Sequence, residues 1–173
     1  PFLAAGGFDE SFPANSAEDV ELAFRLADQG ARFVFNPRAR VLHRHPERVR
    51  DYLRKKARYG FFRTRIYRRH PRKALGDSYT PPMMAVQIAL AGAAAGLALP
   101  AATGRGWGTR GLGVTLLAFG ATTLPLTWRA RRSDPPLAPL VPGLVFCRAF
   151  AQGLGIAAGL GVLLTSKAPL GRG

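Results

Sequence analysis

The clearest pattern in this chain is a pair of long uncharged runs in its second half. Met83 to Thr103 and Gly111 to Trp128 contain no Asp, Glu, Lys or Arg. Each run has about the twenty apolar residues that a helix needs to cross the hydrocarbon core of a bilayer. The rest of the chain is too small to bury two such helices in a soluble core. The pattern therefore predicts a transmembrane helical hairpin over residues 81–132.

A third apolar segment, Leu144 to Thr165, is interrupted only by Arg148 and Gln152. Its glycines would let it pack closely against another membrane helix; they are Gly153, Gly155, Gly159 and Gly161. The pattern leaves two interpretations open for residues 133–173. The segment is either a third membrane span or an interfacial, re-entrant helix.

The first 45 residues have the pattern of a small α/β unit. Ser16 can cap a helix from Ala17 to Gln29, and Gly30 is well placed to end it. Two short runs with β-forming residues follow, Ala31–Phe35 and Arg40–Arg44. We predict that both are strands.

Residues 46–80 are strongly basic, with apolar and aromatic residues at helical spacing. Val49, Tyr52 and Leu53 fall on one side of a helix that carries many Arg and Lys residues. This pattern is typical of an amphipathic helix that lies in the headgroup region of a membrane. A solvated charged helix and a nucleic-acid-binding helix are the alternatives. The apolar runs that follow favour the membrane, so we expect no nucleic-acid partner.

Charge and cysteine content narrow the choice of partners. The net charge is +15, from 25 Lys and Arg against 10 Asp and Glu, which favours anionic partners such as membrane lipids or phosphate-bearing substrates. Cys147 is the only cysteine, so an internal disulfide and a zinc cage of cysteines are excluded.

Basic clusters flank the hairpin before Met83 and at Arg129–Arg132. The positive-inside rule therefore predicts that both ends of the hairpin face the cytoplasm.

The candidate chemistry lies in a short acidic loop and the helix after it. Gly6 and Gly7 form a turn at which backbone can approach a ligand closely. Glu18 and Asp19 then fall in the first turn of the predicted helix. One carboxylate can face a cleft as a base while its neighbour orients the loop. The plain alternative is that both acids only stabilise the positive end of the helix.

The motifs in their order resemble the second half of the catalytic domain of family 2 glycosyltransferases, which have the GT-A fold. The matching positions are Gly6 to Glu10, Glu18-Asp19, Arg25-Leu26, Gly30, His43 and Arg54 to Gly60. The resemblance implies an α/β fold, as the C-terminal portion of a GT-A nucleotide-diphospho-sugar transferase domain over residues 1–45, followed by the membrane hairpin. It also implies a bacterial cytoplasmic (inner) membrane enzyme that transfers sugar from a nucleotide-sugar donor to a lipid or glycan acceptor.

The resemblance further implies residue roles. Asp19 would be the general base of an inverting transfer, and Glu18 would assist it. The acceptor pocket would be shaped by Gly6, Gly7, Phe8 and Asp9. The donor diphosphate would be bound by His43, Arg44, Lys55 and Lys56, with His43 also a candidate metal ligand.

One departure from the family pattern is the lack of an Asp-x-Asp motif anywhere in the chain. The resemblance implies a divalent metal, Mg or Mn, in the full-length enzyme, and its main ligands would then lie outside this chain. We therefore expect this polypeptide to be inactive alone. A competing hypothesis is a small basic membrane protein that binds anionic lipid or a partner without catalysis.

Overall fold

The computed structural model describes residues 2–13, 16–43, 45–75 and 81–165 and consists of helices and connecting loops. The α-helices are α1 (Glu18–Asp28), α2 (Val49–Arg69), α3 (Pro82–Ala102), α4 (Gly106–Ser133) and α5 (Val141–Thr165). Short 3₁₀ helices at Pro71–Leu75 and Pro135–Leu140 follow α2 and precede α5. The two apolar runs and the third apolar segment thus correspond to α3, α4 and α5.

The predicted α/β fold is wrong for the residues that the structure describes, because no strand occurs among them. The described residues of both segments predicted as strands, 31–35 and 40–43, are irregular, and Val34, Phe35 and Leu42 are almost fully exposed. An isolated β segment leaves its backbone groups unpaired and has no face to bury. Since no described segment pairs with them, their β propensity does not produce a sheet, and the GT-A architecture is not observed.

The start of α1 also differs from the prediction. Ala17, in a left-handed conformation with φ of 88°, precedes the helix, and Ser16 makes no capping hydrogen bond to it. The backbone N–H of Ser16 instead donates to Oε2 of Glu18 over 2.7 Å. The predicted end is confirmed: Gly30 has a φ of +85°, and its N–H donates to the carbonyl of Ala27.

A small apolar cluster holds α1 against α2. Phe12, Val20, Phe24 and Ile66 are buried together, with Ile66 fully inaccessible. The loop before α1 is attached to α2 as well, since the Arg65 guanidinium donates to the carbonyl of Ser11 over 3.2 Å. The basic helix therefore carries the acidic loop and α1 on one of its sides.

Helices α3 and α4 form the predicted hairpin, and both are long and apolar enough to cross a membrane. They approach closely at Gly108 and Gly111, where a Cβ would lie 2.7 Å from Pro100 and 3.3 Å from Leu97. Gln87 donates to the Thr122 hydroxyl over 3.2 Å near the other end of the pair. Small residues and polar links of this kind hold membrane helices together.

Helix α5 is the third helix with the length and composition of a span, and its largest packing surface is with α2. A Cβ on Gly155 would overlap the carbonyl of Ala57, and one on Gly159 would lie 2.6 Å from the carbonyl of Phe61. Gly60 meets the backbone of Gln152 in the same way. This glycine seam fixes the basic helix directly to an apolar helix.

Candidate functional site

Asp19 lines a small cleft where α1, α2, α3 and α5 meet. The cleft has a volume of about 140 Å³ and is lined by Ala17, Asp19, Val20, Lys56, Tyr59, Arg63, Met84 and Gln152. The Asp19 side chain is exposed, and its Oδ1 accepts a hydrogen bond from the N–H of Val20 over 2.9 Å. We call this space the Asp19 cleft. Its walls join the acidic helix start to both the basic helix and the apolar helices.

Glu18 is half-buried beside the cleft and engages the loop rather than the open space. Its Oε2 accepts the N–H of Ser16, and the Ser16 hydroxyl in turn donates to the carbonyl of Pro13. The carboxylate therefore ties the loop to the first turn of α1. This placement is consistent with a positioning role next to Asp19.

The α2 residues that line the Asp19 cleft are cationic and aromatic, namely Lys56, Tyr59 and Arg63. Burial lowers the pKa of Lys56, and the nearby charges of Arg148, Lys55 and Arg63 lower it further. The Lys56 ammonium also lies 5.6 Å from the centre of the Tyr59 ring. Lys56, predicted to bind the donor diphosphate, thus lines the same cleft as Asp19.

A second, more open pocket contains two other residues of the predicted donor group. Its volume is about 540 Å³, and its lining residues are His43, His45, Pro46, Asp51, Arg54, Lys55 and Arg58. The rings of His43 and His45 lie 4.8 Å apart. We call this space the His43 pocket. Arg44, the remaining member of the predicted donor group, lies outside the described residues.

The predicted metal role of His43 finds no ligand set in the part of the chain that the structure describes. Among those residues, no three His, Cys, Asp or Glu side chains are grouped in a way that could hold a metal ion. Two imidazoles and one carboxylate line the His43 pocket but do not converge. The described residues therefore do not fit a bound Mg or Mn ion, and we derive no step from one.

The predicted acceptor residues, Gly6 to Asp9, lie against the guanidinium groups of Arg25 and Arg69. Arg25 donates to the carbonyls of Ala5 and Gly7, the latter over 2.8 Å, and to Glu21 over 2.9 Å. Phe8 is half exposed and packs edge-on against Phe2. None of the four residues lines the Asp19 cleft, so their acceptor role stays a prediction.

Asp9 forms an ion pair with Arg69 that joins the acidic loop to the end of α2. Partial burial alone would raise the pKa of Asp9, but the hydrogen bonds from Arg69 and Ser11 outweigh it and lower the pKa from 3.8 to about 2. A carboxylate with a lowered pKa stabilises the fold above pH 3.8, and the contribution is lost as the pH falls towards 2.

Asp9→Asn should consequently lower the free energy of unfolding near neutral pH by at most about 2 kcal/mol. The difference between parent and variant should shrink as the pH falls from 3.8 to 2. Thermal unfolding across this range measures it, with Glu10→Gln, an exposed neighbour, as the control. If the difference in stability between parent and variant does not change with pH, the ion pair between Asp9 and Arg69 does not stabilise the loop.

Sequence reasoning did not single out Tyr59, Arg63, Met84 or Gln152 as residues near Asp19. Tyr59 and Arg63 are one helical turn apart on α2 and on the side that also carries Lys56. That spacing was a signal available in the sequence. Met84 and Gln152 come from α3 and α5, and only the packing of these helices brings them to the cleft.

The structure combines three helices of membrane-spanning length and composition with a basic helix and an acidic helix start that share a cleft with them. This combination indicates a membrane-associated class of protein. Comparison with known families identifies it further: residues 2–147 match the model of glycosyl transferase family group 2. The chain belongs to this family.

The chain is also similar to the pre-mycofactocin glycosyltransferases of two strains of Mycobacterium tuberculosis. The identity is 44% over 68 residues, which is 39% of this chain and 14% of each relative. The match thus spans about one seventh of the length of these relatives. No solved structure matches the chain.

Proposed function

We propose that this chain contributes the acceptor and base side of an inverting sugar transfer from a nucleotide-sugar donor to a membrane-associated lipid or envelope-polysaccharide acceptor. Membership of the family supports sugar transfer. The observation that carries the proposal is the position of Asp19, whose exposed carboxylate lines a cleft that includes Met84 of α3 and Gln152 of α5. Because Met84 and Gln152 belong to membrane-length helices, an acceptor held at a membrane surface would have access to this carboxylate.

In the proposed reaction, Asp19 accepts the proton of the acceptor hydroxyl as that hydroxyl attacks the anomeric carbon. The N–H of Val20 donates to Oδ1 of Asp19 and thereby orients the carboxylate. Oδ2 is left to take the proton. Glu18 holds the loop from Pro13 to Ser16 in place. The C–O bond to the diphosphate breaks, and the nucleoside diphosphate leaves with the bonding electrons.

The leaving diphosphate is the anion that the basic residues would stabilise. Lys56 and Arg63 line the Asp19 cleft, and the His43 pocket adds Arg54, Lys55 and Arg58 from the neighbouring side of α2. Cations placed where negative charge develops lower the barrier to departure. We therefore propose that α2 lies between the two pockets and that its cations attract the donor phosphates.

The proposed orientation follows from the distribution of Lys and Arg. The basic helix α2 and Arg129–Arg132 at the end of α4 would face the cytoplasm, where nucleotide-activated sugars are available, and the loop around Trp107 would face the other side. Reporter fusions after Trp107 and after Ser133 should report opposite compartments. The same compartment at both sites would contradict the hairpin topology.

Transfer itself can be tested in membranes that contain the complete enzyme. Labelled nucleotide sugars are supplied, and the label is followed into solvent-extractable lipid, into polymer and into the aqueous phase. The proposal predicts enzyme-dependent label in the lipid or polymer fraction. Label that reaches only water or small soluble products would overturn the membrane-associated acceptor, and no release of label from any donor would overturn the transferase proposal.

A further inference from the structure

A third cleft lies between the start of α2 and the helices α4 and α5. It has a volume of about 400 Å³, which is within the range of small-molecule sites. Its apolar wall comes from the end of α4, the 3₁₀ helix and the first turns of α5, namely Leu126, Ala130, Leu137, Val141, Leu144 and Val145. We call it the Arg148 cleft, and it shares no lining residue with the Asp19 cleft or, apart from Pro46, with the His43 pocket.

The residues around the Arg148 cleft indicate where it would lie relative to the membrane surface. Ala130, which lines the cleft, follows Trp128 by two residues on α4. The Arg132 guanidinium stacks on the Trp128 ring, 3.5 Å from its centre. Trp and Arg at the end of an apolar helix mark the boundary between hydrocarbon and headgroups. In a bilayer the apolar wall would therefore lie next to acyl chains, and the α2 side of the cleft would lie at headgroup level.

Two arginines line the cleft, Arg48 and Arg148, together with Glu47. Arg148 is unusual because it stands within an otherwise apolar helix. One of its terminal nitrogens donates to Gln87, while its Nε is buried and has no hydrogen-bond acceptor. An ionised group at membrane depth normally has a partner. Arg148 therefore brings a positive charge to the otherwise apolar wall of the cleft, and this charge favours an anionic ligand there.

Residues near Arg148 increase the local positive charge. Lys56 experiences the charge of Arg148 strongly enough to lower its pKa, after the larger effect of burial. A phosphate oxygen near Arg148 would satisfy the guanidinium by a charge-assisted hydrogen bond and reduce this repulsion. The chemistry required of the ligand is an anionic phosphate attached to an apolar chain.

We propose that the Arg148 cleft binds one membrane lipid with an anionic phosphate headgroup. Its phosphate bonds to Arg148 and Arg48, and its acyl chain lies along Leu126, Val141 and Leu144. A bound lipid would join the basic helix to the apolar helices at the headgroup boundary. This site goes beyond the proposed sugar transfer, because it requires neither donor nor acceptor.

Cys147 provides a direct reporter, since it is the only cysteine, is exposed and lines the same cleft. The full chain is placed in nanodiscs of phosphatidylcholine, with or without phosphatidylglycerol, and the rate of maleimide labelling is measured. The proposal predicts several-fold slower labelling in the presence of phosphatidylglycerol. Equal rates in the two lipids would overturn it, as would equal protection by inorganic phosphate in phosphatidylcholine alone.

Two variants and a matched control test the contacts. Arg148→Gln should abolish the protection by phosphatidylglycerol, whereas Arg110→Gln, at the start of α4 and away from the cleft, should retain it. Leu144→Trp keeps the charge but fills the apolar part, so native mass spectrometry should find less bound phosphatidylglycerol than on the parent chain. Protection that survives Arg148→Gln, or lipid retention unchanged by Leu144→Trp, would contradict the proposed site.

Discussion

Replacing Asp19 by Asn in the complete enzyme should reduce turnover roughly a hundred- to ten-thousandfold, the usual cost of losing a general base. The amide keeps the size of the side chain, and its carbonyl oxygen can still accept the N–H of Val20, so the helix start should persist. It cannot, however, take a proton from the acceptor hydroxyl. Nucleotide binding should survive, because the substitution leaves the α2 cations that would attract the donor phosphates unchanged, both in the Asp19 cleft and in the His43 pocket.

Asp28→Asn is the matched control for this substitution. It makes the same chemical change on the same helix, but the Asp28 carboxylate pairs with His70 over 2.7 Å and does not line the cleft. Turnover and nucleotide affinity are measured side by side for the parent and both variants. If Asp19→Asn stays within a few-fold of the parent, Asp19 only stabilises the positive end of α1.

Gly155→Ala should weaken the packing of α2 against α5. The added Cβ would overlap the carbonyl of Ala57, and backbone cannot move aside as a flexible side chain can. Overpacking of this kind typically costs 1–3 kcal/mol, so about that loss is expected here. The expected result is a clearly lower unfolding temperature in detergent, together with a weaker attachment of the basic helix.

Gly161→Ala is the control, since it lies on the same helix and a Cβ there would meet nothing within 4 Å. Because Ala favours a helix over Gly by up to about 1 kcal/mol, this variant should unfold at the parent temperature or slightly above it. Circular dichroism during heating measures all three proteins. Equal unfolding temperatures for Gly155→Ala and Gly161→Ala would contradict the close packing of α2 on α5.

The membrane-length helices could be predicted from the sequence because their signal is local. Length and the lack of charge decide whether a helix can cross a bilayer, and α3 and α4 lie where these features placed them. The glycines of the third segment also predicted close packing. Their main partner was not predictable, because Gly155 and Gly159 meet α2, the basic helix, rather than another strongly apolar one.

The predicted strands failed for a non-local reason. Ala31–Phe35 has β-forming side chains, but a strand requires a partner to pair its backbone groups, and none is present among the described residues. The predicted cap of α1 does not form because the Ser16 hydroxyl donates to the carbonyl of Pro13 and does not accept from a backbone N–H of the helix. In both cases a local preference was outweighed by the surroundings.

The candidate site was predicted in part. The resemblance directed attention to Asp19, but it assigned Lys55 and Lys56 to the same diphosphate. Adjacent residues of a helix point about 100° apart, so these two side chains lie on different sides of α2. The structure accordingly places Lys55 in the His43 pocket and Lys56 in the Asp19 cleft. The contribution of Gln152 depends on the path of α5, which no local pattern specifies.

The anomeric configuration of the transferred sugar shows whether Asp19 acts as the base of a single, inverting displacement. With Asp19 acting as a base, the acceptor hydroxyl attacks the anomeric carbon in one displacement, so the configuration must invert. The product made by the complete enzyme is isolated, and the coupling constant of its anomeric proton is compared with that of the donor by NMR. We expect the opposite configuration in donor and product. A product that retains the donor configuration would contradict it.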